Sequence, residues 1–151
     1  MTIFSNKQQL NQVIPPIGRI MALDVGSKRI GIAACDESRI IASPKLIINR
    51  ESNIKDFAKI QNFFKEGKFV AIIVGLPIHM DSSNSKMSEF VVDFTKNFDE
   101  FLEKKAPILL FDERLSSFEA REIAASQLSR KNGHYDDIAA CVILEHFLIH
   151  E

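Results

Sequence analysis

The first part of the chain carries its apolar residues in short, nearly continuous runs, which is the pattern of buried β-strands. The run Ile20–Val25 predicts a strand that is covered on both faces. The turn residues Gly26–Ser27 separate it from a second run, Ile30–Cys35, and a third run over 40–48 is interrupted near Pro44. Because the turns between these three runs are short and polar, they predict an antiparallel meander.

The spacing of the apolar residues then changes to the period of a helix. Apolar side chains between residues 54 and 64 recur at helical spacing, with Ser52 as a candidate N-cap and Gly67 just past the end. Residues 69–74 predict a buried strand, and residues 87–102 predict an amphipathic helix.

The remaining elements continue the alternation of strands and helices. A strand over 108–111 leads directly into Asp112 and Glu113, a capped helix follows over about 116–128, and a largely apolar helix covers 136–149. The order β-β-β-α-β-α-β-α-α predicts an α/β fold with one mixed five-stranded sheet that is flanked by helices.

Residues 1–16 differ in character from the segment that follows them. They are mostly polar, and Pro15, Pro16 and Gly18 separate them from the first strand. We predict a polar N-terminal tail over 1–16 and a single domain over 17–151. The alternative is a short apolar stripe made of Phe4, Leu10, Val13 and Ile14.

Composition and charge narrow the class of protein. The 151 residues are 46% hydrophobic and 26% charged, which is typical of one compact domain and excludes a disordered chain. No apolar run reaches the roughly 20 residues of a membrane-spanning helix, so we expect no membrane association. The N-terminus has no secretory signal, and Cys35 and Cys141 lie among apolar residues, so we predict buried thiols in a cytoplasmic protein. The formal net charge of -1 gives no overall attraction to nucleic acid, so any phosphate contact depends on a local basic patch.

Acidic residues stand at the ends of the predicted elements. Asp24 ends the first strand, Asp112 and Glu113 follow the last strand, and Asp136 and Asp137 open the last helix. If these ends are neighbours, the carboxylates repel one another by about 4 kcal/mol at 4 Å and an effective dielectric constant of 20. A shared proton or a divalent cation relieves that repulsion, and ligands that are all oxygen favour Mg²⁺ or Mn²⁺. Two such ions are suited to phosphodiester hydrolysis.

Each acidic residue also has an ordinary structural interpretation. Asp24 is suited to cap the turn at Gly26, and Asp136 is suited to be a helix N-cap. Asp112 and Glu113 are suited to be a solvated loop pair. These sites are far apart in sequence, so their spacing alone leaves both interpretations open.

Four motifs carry a resemblance to a known family. The segments LDVGSKRIGIA (23–33), VGLP (74–77), DERLSSFEA (112–120) and DDIAACVIL (136–144) resemble the YqgF/RuvX family, described as Holliday junction resolvase-like or as pre-16S ribosomal RNA nucleases. The resemblance covers about residues 19–149. It implies a ribonuclease H-like fold related to RuvC, and a bacterial, cytoplasmic, metal-dependent enzyme that processes the 5′ end of ribosomal RNA precursors.

The resemblance also implies roles for the acidic residues. Asp24 matches the aspartate of the first strand, Glu113 the glutamate of the D-E-R motif, and Asp136 the aspartate of D-x-x-A-A-x-x-I-L. These three are the expected catalytic residues and ligands for Mg²⁺ or Mn²⁺. Asp112 is an expected additional ligand, and Asp137 is a second choice for the last position because it is out of register.

The chain departs from the family pattern at two places. His79 and Ser82, in the polar loop over 79–86, stand where the family usually has Asn and Gly. The basic link before the last helix is short, with only Arg130 and Lys131.

Basic or hydroxyl residues accompany every acidic site, as a nucleic-acid backbone requires. The expected substrate-binding residues are Lys28, Arg29, Arg114, Ser116, Ser117, Arg130 and Lys131. Exposed Lys and Arg are common on any surface, so an incidental placement is the alternative, and a structural ion pair with a carboxylate is a further one for Arg114.

The sequence thus predicts a metal-dependent nuclease that acts on structured nucleic acid, with RNA favoured over DNA and with a monomer or a homodimer as the working form. The alternatives are a Holliday junction resolvase-like DNA endonuclease and a non-catalytic nucleic-acid-binding module on the same fold. An actin-like ATPase, whose phosphate-binding turn resembles Asp24–Ser27, is disfavoured because such enzymes enclose nucleotide between two domains.

Overall fold

A computed structural model describes residues 2–77, 82–113 and 134–149, with the backbone alone for residues 82–85 and 113. The strands are β1 (Ile3–Phe4), β2 (Arg19–Val25), β3 (Arg29–Cys35), β4 (Ala42–Asn49), β5 (Phe69–Pro77) and β6 (Ile108–Glu113). The helices are α1 (Lys7–Val13), α2 (Asn53–Glu66), α3 (Ser82–Phe101) and α4 (Asp136–Ile149).

The described strands form one mixed sheet in the order β1-β6-β5-β2-β3-β4. Strands β2, β3 and β4 pair antiparallel, whereas β5 pairs parallel with β2 and with β6. The predicted meander and the mixed α/β architecture are therefore confirmed. The described sheet has six strands where the sequence predicts five, because β1 adds a parallel strand beside β6.

The N-terminal segment belongs to this sheet, which corrects the prediction of a polar tail over 1–16. The amide of Ile108 donates to the carbonyl of Thr2 at 2.7 Å, and β1 continues the pairing with β6. The cause is the apolar stripe named above as the alternative: Phe4, Leu10 and Ile14 are buried. Val13 does not share in it, because its side chain is 55% exposed.

Two apolar layers cover the two faces of the sheet. Helices α2 and α3 pack on one face, where Met21, Leu23 and Val25 of β2 join the core. Helices α1 and α4 pack on the other face, where Ile20 and Ala22 join a second core. Successive residues of a strand point to opposite faces of the sheet. The alternation along β2 therefore shows which face each of its later residues lies on.

Helix α4 is apolar nearly all round, which is typical of a buried helix. Its residues from Asp137 to Leu144 are all buried, as is Phe147 near its end. The side-chain amine of Lys7, at the start of α1, donates to the carbonyl of Phe147 and lies 4.6 Å from the centre of its ring. The N-terminal segment therefore holds both β6 and α4.

The local signals of the middle elements are confirmed. The Ser52 hydroxyl accepts from the amide of Lys55 at the start of α2, and the amide of Gly67 donates to the carbonyl of Phe63 at its end. The interruption near Pro44 is a shift in register between β3 and β4, where Lys45 has no partner on β3.

Helix α3 begins at Ser82, earlier than the predicted residue 87 and inside the predicted polar loop. The predicted helix over 116–128 lies outside the described residues.

Candidate active site

Asp24 lies near the carboxyl end of β2, on the face that α4 covers. It is in phase with Ile20 and Ala22, whose side chains pack in the core beneath α4. Its side chain is half-buried. Across the antiparallel pair with β3, Asp24 is the register partner of Gly31.

The first turn of α4 lies directly on Gly31. A Cβ atom on Gly31 would overlap the carbonyl of Asp136 and would lie 2.6 Å from the amide nitrogen of Asp137. Only glycine permits this approach of helix backbone to strand backbone. Because Gly31 is also the partner of Asp24, the fold brings Asp24 and Asp136 to the same place on the sheet.

A guanidinium group lies beside the second of these carboxylates. Arg29 Nε donates to Asp136 Oδ2 at 2.8 Å, and the two side chains are 30% and 22% exposed. Arg29 is predicted above as a substrate-binding residue, and its described contact is with a carboxylate of the site. That arrangement offsets part of the negative charge at this end of the sheet.

The end of β6 reaches the same rim of the sheet. Strands β2, β5 and β6 run parallel, and Leu76 and Pro77 of β5 pair with Asp112 and Glu113. Along β6, position 113 is in phase with Phe111, which packs in the core on the α4 face. Position 113 therefore falls on the same face of the sheet as Asp24.

The two acidic neighbours of these residues are placed differently. Asp112 is in phase with Ile108 and Leu110, which pack on the α2 and α3 face, so the strand alternation separates it from Asp24. This placement gives no support to Asp112 as an additional ligand. Asp137 is 8% exposed, and its Oδ1 accepts from the amide of Ile138, so Asp136 is the more accessible carboxylate of the pair.

The β2–β3 turn brings basic residues to the rim. The amide of Gly26 donates to the carbonyl of Arg29 at 2.9 Å, and Lys28 is exposed between them. The other predicted substrate-binding residues lie outside the described residues: Arg114, Ser116, Ser117, Arg130 and Lys131. His79 lies outside them as well, and Ser82 is described by its backbone alone.

Sequence reasoning missed Arg50, whose side chain contacts the backbone of the β2–β3 turn. Arg50 Nε donates to Asp56 Oδ2 at 3.1 Å, and its Nη1 donates to the carbonyl of Gly26 at 3.4 Å. The guanidinium carbon lies 5.1 Å from the ring centre of Phe94. Asp56 was the available signal, because it lies one helical turn before the core residue Ile60 and a buried carboxylate requires a partner.

Both cysteines are free and buried, as predicted. Burial, followed by the Glu145 carboxylate, raises the pKa of the Cys141 thiol to about 12, and burial also raises the pKa of Cys35. A nucleophilic cysteine has a lowered pKa, so neither thiol is suited to covalent catalysis.

The donor chemistry of the rim fits a hard divalent cation. Asp24 and Asp136 supply carboxylate oxygens only, which favours Mg²⁺ or Mn²⁺ over zinc. Among the side chains that the structure describes, no group of three or more His, Cys, Asp or Glu is placed to hold a metal ion. The side chain at position 113 is outside that set.

Comparison with known proteins gives the family of the chain. Residues 18–150 match the family model described as "RuvX: Holliday junction resolvase". The chain belongs to the RuvX family. This membership identifies it as an enzyme, a hydrolase of the nuclease class.

Curated relatives of this RuvX-family chain match most of its length. A protein of Thermoanaerobacter pseudethanolicus is 37% identical over 134 residues, which cover 86% of this chain and 95% of the relative. A protein of Wolbachia pipientis wMel is 32% identical over 146 residues, which cover 95% of this chain and 93% of the relative. Both carry the name "Putative pre-16S rRNA nuclease".

Solved structures show the same fold at low sequence identity. T. thermophilus RuvC in complex with a Holliday junction substrate superposes with a TM-score of 0.55 at 9% identity, covering 86% of this chain and 93% of that one. A second Thermus thermophilus RuvC structure gives 0.52 at 10% identity, with coverage of 85% and 93%. The ribonuclease H-like fold expected from the sequence is thus confirmed. In the part of the chain that the structure describes, no helix is both long enough and apolar enough to span a membrane.

Proposed function

We propose that this RuvX-family chain is a divalent-metal-dependent nuclease that hydrolyses phosphodiester bonds in structured nucleic acid, and that its substrate is the 5′ end of precursor 16S ribosomal RNA. The observation that carries the proposal is the placement of Asp136 on Gly31, the strand partner of Asp24. Position 113 falls on the same face of the sheet, at the carboxyl end of β6. The name shared by the curated relatives supports the choice of RNA.

In this proposal Asp24, Glu113 and Asp136 would hold the divalent ion, and the expected ion is Mg²⁺ or Mn²⁺. A bound divalent ion supplies electrostatic stabilisation of the negative charge that develops on the phosphate and on the leaving oxygen. The chain's own contribution is to fix its ligands: Asp24 lies on a strand with partners on both sides, and Asp136 lies in the first turn of a buried helix. Such rigid elements hold a site more closely than loops do.

The substrate backbone requires local positive charge, because the net charge of the chain is -1. Lys28 is exposed in the turn next to Asp24 and is suited to contact a phosphate near the rim. The roles of Arg114, Ser116, Ser117, Arg130 and Lys131 as substrate-binding residues stay predictions. A cytoplasmic location, where ribosomal RNA precursors are processed, is part of the same proposal.

The test compares cleavage by the intact protein and by Asp24→Asn, with Asp93→Asn as a matched control on the exposed side of α3. Two RNA substrates are compared: a precursor 16S RNA that carries its 5′ extension, and a 16S RNA that already has its mature 5′ end. Each is assayed in Mg²⁺ and in the presence of a chelator. We expect Asp24→Asn to lose about a hundredfold or more in rate, since ion-bound charge stabilisation is worth several kcal/mol. Cleavage that is unchanged in Asp24→Asn, or that persists in chelator, contradicts the proposal.

A four-way DNA junction is the second candidate substrate. The family model's own description, "Holliday junction resolvase", favours it. A junction and an unbranched duplex of the same sequence therefore belong in the same assay. Faster cleavage of the junction than of the RNA would select this alternative, and tight binding of either without cleavage would select the non-catalytic module.

A further inference from the structure

The contact between Arg29 and Asp136 places a fixed positive charge at the proposed ion site. Arg29 is the first residue of β3, and its backbone is held by pairing with Asn49 of β4. Its Nε lies 2.8 Å from Asp136 Oδ2, within the range of a charge-assisted hydrogen bond. The guanidinium therefore engages an oxygen of the same carboxylate that the proposed function assigns to the ion.

The position of Asp136 gives its carboxylate little freedom to contact both the Arg29 guanidinium and a divalent ion without bringing the two cations close together. The backbone of Asp136 is fixed by its contact with Gly31, and α4 is buried along most of its length. A divalent ion at Asp136 either binds Oδ1 and shares the carboxylate with the guanidinium, or displaces Arg29 from Oδ2. Like charges at such a distance repel, so sharing is the less favourable arrangement.

We propose that Arg29 competes with the divalent ion for Asp136 and thereby sets the affinity of the site for metal. Arg29 is in this view a positioning residue that acts through Asp136. The inference rests on the proposed function, because it requires Asp136 to hold an ion. By linkage, a bound ion would weaken the Arg29–Asp136 contact by the same factor and so release the guanidinium from the carboxylate.

The test measures Mn²⁺ binding without nucleic acid, by electron paramagnetic resonance of free Mn²⁺ and by calorimetry. We expect Arg29→Gln to bind Mn²⁺ about two- to fivefold more tightly than the intact protein, which is the fold-change that corresponds to a partly exposed ion pair. Arg29→Lys keeps the positive charge, so its Mn²⁺ affinity should lie between those of the intact protein and Arg29→Gln. Circular dichroism establishes that each variant is folded.

Lys28→Gln is the matched control for long-range charge, because it removes the same charge from the adjacent, exposed position. We expect it to change Mn²⁺ affinity less than Arg29→Gln does. An equal change in the two variants would overturn direct competition, and so would unchanged or weaker binding in Arg29→Gln and Arg29→Lys.

Asp24→Asn separates the failure of this inference from failure of the proposed function. If the intact protein binds Mn²⁺ and Asp24→Asn does not, the ion site stands, and the Arg29 variants then decide the inference alone. If the intact protein and Asp24→Asn bind Mn²⁺ equally or not at all, the proposed ion site is wrong and the inference is wrong with it.

Discussion

Gly31 lies in direct backbone contact with Asp136, closer than any residue with a side chain would allow. This contact joins the antiparallel part of the sheet to the helix that carries the second carboxylate. It also explains why a glycine occupies the middle of a buried strand, where it is otherwise unfavourable.

Replacing Gly31 by alanine should move α4 and damage the site. The added methyl group would overlap the carbonyl of Asp136, and backbone cannot turn aside as a side chain can. We expect a loss of about 1–3 kcal/mol in the free energy of unfolding, measured in urea, together with loss of cleavage. Gly75→Ala is the control, because the atoms nearest to its methyl group belong to the Ile143 side chain and not to backbone. A smaller loss in Gly31→Ala than in Gly75→Ala would contradict this account.

Removing one partner of the Arg50–Asp56 ion pair should lower the free energy of unfolding more than replacing both partners by apolar residues. The side chains are 12% and 0% exposed, so Arg50→Met leaves a buried carboxylate without its cation. We expect Arg50→Met to lose about 3–5 kcal/mol of stability.

The double variant Arg50→Met with Asp56→Leu should recover part of that loss. The recovery is partial because Asp56 also accepts from the amide of Glu51 at 3.2 Å. Additive losses in a double-mutant cycle, read from urea unfolding, would show that the two side chains do not interact.

The N-terminal helix should contribute to stability through one residue of its apolar stripe. Leu10 is fully buried, so Leu10→Ala should lower the free energy of unfolding by about 2–5 kcal/mol. Val13, in the same helix, is 55% exposed, and Val13→Ala should change it by less than about 0.5 kcal/mol. Equal effects of the two substitutions would restore the interpretation of this segment as a tail.

The Cys141 thiol should make the protein less stable at high pH. Burial raises its pKa from 9.0 to about 12, so above pH 9 the unfolded chain loses this proton while the folded chain keeps it. Stability should therefore fall as the pH rises from 9 toward 12. Cys141→Ala should reduce this slope in urea unfolding at several pH values. In the intact protein at pH 8, iodoacetamide should react with Cys141 only after unfolding.

The sequence predicts those parts of the fold that depend on local periodicity. The strand runs, the Ser52 cap and the end of α2 at Gly67 are all determined by residues close together in the chain, and the structure confirms them. Asp24 pairs with Gly31 and the backbone of Asp136 lies against the same glycine, a proximity that the spacing of the two residues in the sequence could not show.

Contacts between distant segments could not be predicted in this way. Pairing of β1 with β6 depends on a partner about a hundred residues away, so the N-terminal segment resembles a tail when it is considered by itself. The partner of Arg29 is equally distant, so the sequence shows a basic residue next to a candidate site but does not show its contact with Asp136. Asp112 stays a predicted additional ligand that the strand alternation does not support, since adjacent residues of a strand face opposite sides of the sheet.

The order of the elements along the chain has a consequence for synthesis. All six described strands are synthesised before α4, so Asp24 is translated before its partner carboxylate. A chain that ends before residue 136 lacks Asp136 and also lacks the helix that completes the core on one face of the sheet. The two carboxylates can therefore come together only after α4 has been made.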